Sequence, residues 1–322
     1  MITYILVFIS LVILAFIYLK LADHFNIIDK PNQRSSHIEP TIRGGGILFF
    51  LGLLLFFFSS NFTYPYFILG VSIIAIVSFV DDLITLGRRI RLLFHFITAF
   101  LLLVQLTLLG LPIWALLICL IFAVAFFNLF NFMDGINGLT GLYTLAVLSV
   151  FLAINYNEHI VDQDLLIYSA IAIVVFGYFN FRKKAKWFAG DIGSMTLATL
   201  LLFLGGKFAV ALEAPIFLLV VLVYAIDGGL TILVRFMLKE NITVAHRHHI
   251  YQKLVDVEKW SHIKVAVVYA FIQSLINVLV YFTYTFAFKV QILIVIATIL
   301  VMSGVYYLLK NRYDKIAKSI ES

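Results

Sequence analysis

Charge is what this chain has least of. Of its 322 residues, 12% are Asp, Glu, Lys or Arg and 63% are hydrophobic, and the mean hydropathy is +1.07. A soluble domain is about 25% charged and ~45–50% apolar. Too few charges are present to cover a water-facing surface, so lipid must cover much of it. Cysteine is scarcer still. The lone Cys119 excludes a disulfide framework and a cysteine-rich zinc site, and it lies in an apolar run where a small side chain is simply packed. No internal repeat or low-complexity segment is present. The N-terminus lacks the basic region and small-residue cleavage site of a secretory signal peptide. Its apolar run reaches Leu19, long enough to remain as a first transmembrane helix.

What is there is a train of apolar windows, near 1–21, 44–60, 64–80, 92–109, 112–128, 138–155, 165–181, 193–207, 214–236, 263–285 and 289–309. Most approach the ~20 residues that span a hydrocarbon core. The eighth is short and ends at Gly205-Gly206. The expected fold is an all-α polytopic bundle of about eleven transmembrane helices. It forms one integral-membrane domain over 1–322, with a motif-bearing core at 22–264, two C-terminal helices at 263–309 and a tail at 310–322.

The net charge of +6 is a topology signal and does not point to nucleic acid. Of the 23 Lys and Arg residues, all but Lys207 and Lys289 fall in one alternating set of loops and helix ends. By the positive-inside rule that set is cytoplasmic, which leaves the N-terminus periplasmic and the C-terminus cytoplasmic. Among the acidic residues, Glu158, Asp162, Asp164 and Glu213 lie on the outer side and the other thirteen on the inner side. Chemistry is therefore sought on the inner face, with anionic headgroups or phosphates as partners.

Five polar clusters gather there. The loop DKPNQRSSHIEPTIRGGG over 29–46 brings Arg34, His37 and Arg43 beside a glycine triplet opening a helix, and backbone N–H groups with nearby arginines suit an anion. Asp81 and Asp82 end the third helix next to Arg88, Arg89 and Arg91. Adjacent carboxylates at a membrane boundary repel and are costly to desolvate, so a divalent cation or a phosphate-borne proton would compensate them. In NLFNFMDGING over 128–138, Asn131 and Asp134 are one turn apart, and Gly135 and Gly138 allow the backbone close to a ligand. In WFAGDIGS over 187–194, Asp191 is placed to act as an N-cap or as a metal ligand. The fifth, AHRHHIYQ over 245–252, sets His246, His248 and His249 around Arg247. With no cysteine nearby, phosphate contact is favoured over zinc. Asp227, inside the ninth window with Thr231 and Arg235 on its face, is open to structural pairing or to supporting the site.

In this order and on these helix ends, the clusters resemble the polyprenyl-phosphate N-acetylhexosamine-1-phosphate transferase family over about Asp29 to Leu254. The resemblance implies a Mg²⁺-dependent exchange, with Mn²⁺ able to substitute, in which a UDP-N-acetylhexosamine and undecaprenyl phosphate give undecaprenyl-diphosphate-sugar and UMP. It implies catalytic roles for Asp81, Asp82 and Asp134, and metal ligation by Asp191. It also implies nucleotide or sugar-diphosphate contacts from Asn131, Asn180, Phe188, His246, Arg247 and His249. Arg34, His37, Arg43 and Arg91 are candidate phosphate contacts. The chain departs from the family pattern at Asn137, where a second Asp is common, at Ser35, where a basic residue is frequent, and in the spacing from Asn180 to Asp191. The AHRHHIYQ loop looks more like the O-antigen-initiating branch, favouring an N-acetylated, 6-deoxygenated sugar (FucNAc or QuiNAc), with GlcNAc and GalNAc as further donors. The resemblance further implies a bacterial inner-membrane location, a cytoplasmic active site, and compatibility with a homodimer. A peptidoglycan-type phospho-MurNAc-pentapeptide transferase and, from another class, a secondary transporter are the alternatives. A transporter would place charges and broken helices near the midplane. A CDP-alcohol phosphatidyltransferase would need a DGxxAR run that DGING does not supply.

Overall fold

A computed structural model describes residues 2–29, 39–240 and 247–321, with side chains described as far as Ile316. In lipid an apolar run satisfies its backbone by closing hydrogen bonds within itself, and the chain is helical almost throughout. The helices in order are α1 (Ile2–His24), α2 (Ile47–Ser59), α3 (Pro65–Ile84), α4 (Arg88–Gln105), α5 (Ile113–Met133), α6 (Leu139–Glu158), α7 (Gln163–Asn180), α8 (Gly190–Ala211), α9 (Leu222–Met237), α10 (Ile250–Asp256), α11 (His262–Thr283) and α12 (Phe288–Glu321). A two-residue antiparallel ribbon, β1 (Ile28–Asp29) with β2 (Thr41–Ile42), is the one sheet among the described residues.

The protein is an all-α polytopic membrane protein. Among the described residues, nine helical stretches are long and apolar enough to cross a membrane. Two of the eleven expected windows fall short of that measure for visible reasons. The second yields α2, of 13 residues, and the fourth yields α4, which opens on Arg88, Arg89 and Arg91. The eighth window, cut short in sequence by Gly205-Gly206, is instead the 22-residue α8. At Gly206 a side chain would meet Leu106, so this glycine serves close packing and does not stop the helix. The ninth window is broken. A 3₁₀ turn over Pro215–Val221 leads into α9, and Gln273 spans the break, accepting from Val223 N–H (3.1 Å) and donating to Leu219 C=O (2.9 Å).

Helix α8 is the axis of the bundle, packed against α2, α3, α5 and α6, while α6 packs along α11. Aromatic pairs fill these seams, with Phe67 stacked on Phe203 at 4.3 Å and Tyr143 on Tyr224 at 3.7 Å. Outer helices such as α1 and α12 leave Ile, Leu and Phe exposed, as a lipid-facing surface requires. Successive helices alternate in direction. The C-terminal ends of α1, α3, α5, α7 and α9 therefore meet the N-terminal ends of α2, α4, α6, α8 and α11 at one end of the bundle. The described parts of all five clusters belong to that end. The far end is tied by other pairs, among them Tyr4 to Asp164 and Tyr284 to Glu158, both at 2.8 Å.

Candidate active site

The N-terminus of α8 organises the site. A helix start leaves its first N–H groups without intrahelical partners. Here they are taken by a carboxylate from another helix, since Asp82 accepts from Asp191 N–H (3.1 Å) and Ile192 N–H (3.3 Å). Arg43 Nε meets the same carboxylate at 2.7 Å, and the Asp82 side chain is fully shielded from solvent. Asp82 is thus the anion at α8's positive end. The N-cap position is Ala189, so Asp191 caps nothing with its side chain. It sits in the first turn with its carboxylate at the cavity, 3.4 Å from Arg43 Nη2 and within hydrogen-bonding reach of Asp81. Asp81 is held by Leu86 N–H and by Arg91 Nη1 at 3.2 Å.

The glycine triplet does not form the anion cradle expected of it. Gly45 N–H donates to Phe188 C=O (2.8 Å) and Gly46 N–H to Ala189 C=O (2.9 Å), so both donors are used within the fold. The triplet's value is its lack of side chains. A Cβ on Gly46 would strike the backbone of Gly193 and Ala189, and one on Gly45 the ring of Trp187. The first loop and the 187–194 turn are therefore laid directly on each other, which brings Arg43 to Asp82 and Asp191.

Between these parts lies a cavity of about 250 Å³. Helix α5 ends at Met133, and Asp134 follows as its C-cap. Asn131 and Asp134 both line the cavity, as does Asp191. Ser194 Oγ donates to Asn131 Oδ1 (2.6 Å), joining α5 to α8, and Thr140 Oγ1 donates to Asp134 Oδ1 (2.6 Å). Burial pushes the Asp134 carboxyl up to about 6 against the pull of the Thr140 hydroxyl, and the nearby Asp191 charge adds to the rise. Burial opposes the charge on Arg43, but Asp82 and Asp191 overcome it and hold the guanidinium above its ordinary value. Phe188, Asn137 and Asn180 complete one wall. Asn180 is fully engaged, accepting from Gly138 N–H (2.7 Å) and donating to Trp187 C=O (2.9 Å). Asn137 donates to Arg182 C=O at 3.2 Å.

Of the histidine loop, residues 247–252 are described. Arg247 makes a two-point ion pair with Asp256, at 2.9 and 2.7 Å, and does not line the cavity. His249, 2% exposed, stands 3.6 Å from Asp227 and shares a capping box with Gln252. The residues from this region that do line the cavity are Gln252 and His262, which sequence reasoning passed over along with Asp29 and Ile136. A signal for Gln252 was present, since it lies three residues after His249 at a helix start. None marked His262, whose position depends on how α11 packs. Arg34, His37 and His246 lie outside the described residues.

Electrostatically the lining is unbalanced. Among the described residues, the lining sets Asp29, Asp134 and Asp191 beside Arg43 and His262 in a partly desolvated space where charges act over a lowered dielectric. The donor set among the described residues is hard oxygen: the carboxylates of Asp29, Asp134 and Asp191, with the amides of Asn131 and Asn137. That suits Mg²⁺, which takes one or two carboxylates and completes its shell with water and phosphate. Among the described residues no group of three or more His, Cys, Asp or Glu side chains is gathered for a metal, so protein groups alone do not make a cage here.

A family model described as glycosyl transferase family 4 matches residues 64–209. The stretch runs from the start of α3 nearly to the end of α8 and contains Asp81, Asp82, Asn131, Asp134 and Asp191. Over that part the chain is similar to a family consistent with polyprenyl-phosphate sugar transferases in general. No curated protein matches the chain.

Proposed function

We propose that the protein transfers an N-acetylhexosamine-1-phosphate from a UDP-sugar to undecaprenyl phosphate, releasing UMP and starting an O-antigen or related envelope polysaccharide. The transfer takes place on the cytoplasmic face of a bacterial inner membrane. The observation that carries this reading is the cavity's charge. Among the described residues, three carboxylates line it against a single arginine, beneath a bundle of apolar helices. Such a site repels a bare diphosphate and accepts one that arrives with a cation.

In this reading Asp191 and Asp134, which line the same cavity, would hold a Mg²⁺ ion, and that ion would supply positive charge to offset the charge developing on the departing UMP. Arg43, held between Asp82 and Asp191, supplies a further cation at the phosphates. Phe188 offers its ring to the uracil, and the amides of Asn131 and Asn137 offer hydrogen bonds to the nucleotide. A lipid-phosphate oxygen attacks the β-phosphorus, the bond from that phosphorus to the bridging oxygen breaks, and UMP leaves with the electron pair. Of the paired aspartates, Asp81, which Leu86 N–H and Arg91 hold, is assigned the lipid phosphate's proton because its side chain keeps some exposed surface. Asp82 has both oxygens committed to α8 and Arg43 and no exposed surface, so its part is to aim Asp191. The lipid tail lies among the apolar helix faces, and a second copy of the chain is compatible with all of this. FucNAc and QuiNAc remain the favoured sugars, ahead of GlcNAc and GalNAc.

The test is a donor panel. Purified protein with undecaprenyl phosphate and UDP-FucNAc, UDP-QuiNAc, UDP-GlcNAc or UDP-GalNAc should release UMP from at least one donor. Release should need Mg²⁺ or Mn²⁺ and should fall at least about 10³-fold in Asp191→Asn, which removes an electrostatic group worth several kcal/mol at the transition state. Turnover that survives both chelation and this substitution would overturn the assignment. Solute flux across vesicles without turnover would favour a transporter.

A further inference from the structure

The proposed transfer makes no use of Asp227, the one carboxylate of α9. It is 3% exposed. Its Oδ1 accepts from Ile250 N–H (2.8 Å), and its Oδ2 from Tyr251 N–H (3.2 Å) and the Tyr269 hydroxyl (2.6 Å). His249 Nδ1 is 3.6 Å from Oδ1. The neighbours on its own face look elsewhere, with Arg235 paired to Glu240 (2.8 Å) and Thr231 bonded to Tyr306 (2.9 Å). Asp227 therefore ties α10 to α9 and α11.

Helix α10 is seven residues long, too short to persist without tertiary support. Two of its side chains reach the site. Gln252 lines the cavity. The Tyr251 hydroxyl donates to Phe132 C=O at 3.1 Å, two residues before Asp134. It occupies the space that the missing side chain of Gly135 leaves open.

We propose that Asp227 is a positioning residue, holding α10 so that Gln252 faces the cavity and Tyr251 fixes the turn carrying Asp134. The proposal rests on the transferase reading for its catalytic consequence, but its structural part stands apart. Only a carboxylate suits the position. It offers acceptors alone to two N–H groups and a hydroxyl, whereas an amide turns one donor toward another. The route to the reaction is through Tyr251 and not through substrate contact.

The experiment uses the full-length protein in detergent or nanodiscs, with Asp227→Asn, Tyr251→Phe and the double variant. In hydrogen–deuterium exchange, Asp227→Asn should speed exchange over 250–256 and also over 131–137, leaving the middle of α11 unchanged. Kinetics should show kcat about 10²-fold lower at a temperature where both proteins are folded, the size expected of a small misplacement. The double variant should be little worse than the single ones, because both act along one route. The proposal is overturned if faster exchange stays confined to 250–252. It is also overturned if kcat and KM match wild type below the unfolding midpoint, or if the two substitutions multiply. If wild-type protein releases no UMP from any donor, the transferase reading fails, and exchange over 131–137 alone decides whether Asp227 positions the turn.

Discussion

The two aspartates that end α3 are adjacent in sequence and opposite in circumstance. Asp82 faces inward to the N–H groups of α8, while Asp81 turns to Arg91 and toward Asp191. Sequence showed the pair and its cost but could not divide the work, because the α8 N–H groups that claim Asp82 lie more than one hundred residues away. Asp134 presents a different residue-scale problem, a carboxyl whose proton is held to about pH 6 in the fold against an ordinary value of 3.8. Between those values the folded chain binds the proton more tightly than the unfolded chain. Metal-free protein therefore loses stability as pH rises through that window and stays at the lower level above it. Asp134→Asn keeps an acceptor for Thr140 and removes the charge. In EDTA its unfolding midpoint should exceed that of wild type at pH 7.5 and converge with it near pH 4, while UMP release is lost. A midpoint below wild type at pH 7.5 would show that the carboxylate stabilises the fold.

At the scale of elements, glycine decides how closely the site's pieces approach. Gly46 lies against the backbone of Gly193 and Ala189, atoms that cannot rotate away, whereas Gly205 of α8 has open space around its Cα. Gly46→Ala should cost about 1–3 kcal/mol, the usual penalty of overpacking. It should also lower kcat, since it pushes the first loop and Arg43 off the start of α8. Gly205→Ala should be neutral or stabilising by up to about 1 kcal/mol, by helix propensity alone. Thermal midpoints and UMP release for the two variants separate these outcomes, and equal effects would count against the packing argument. The glycines were visible in sequence as possible hinges for a ligand. Their real use, backbone laid on backbone between the 29–46 and 187–194 segments, needs both partners in place.

For the whole molecule, alternating helices bring the described parts of five separated clusters to one end, together with most of the described basic residues. The orientation this implies is open to chemical labelling. Cys119 is the only cysteine, so Cys119→Ser provides a blank background. On intact cells a membrane-impermeant maleimide should modify Asn157→Cys and Thr285→Cys, which are exposed positions at the far end. It should reach Lys184→Cys and Lys259→Cys, exposed at the site end, only after permeabilisation. The reverse pattern would place the cavity outside the cell, away from any nucleotide-sugar pool.

Sequence alone determined the lipid solvent, the helical character of the chain and which loops and helix ends carry its polar clusters. These are additive, local properties, read from hydropathy along single segments and from charge between them. Tertiary structure alone decided that Asp82 holds α8 while Asp191 faces the cavity, and that Arg247 closes on Asp256 while Gln252 takes its place at the lining. It also decided that Asp227 anchors α10. Each of these depends on which buried donor a carboxylate meets, and that is set by packing between helices distant in the chain.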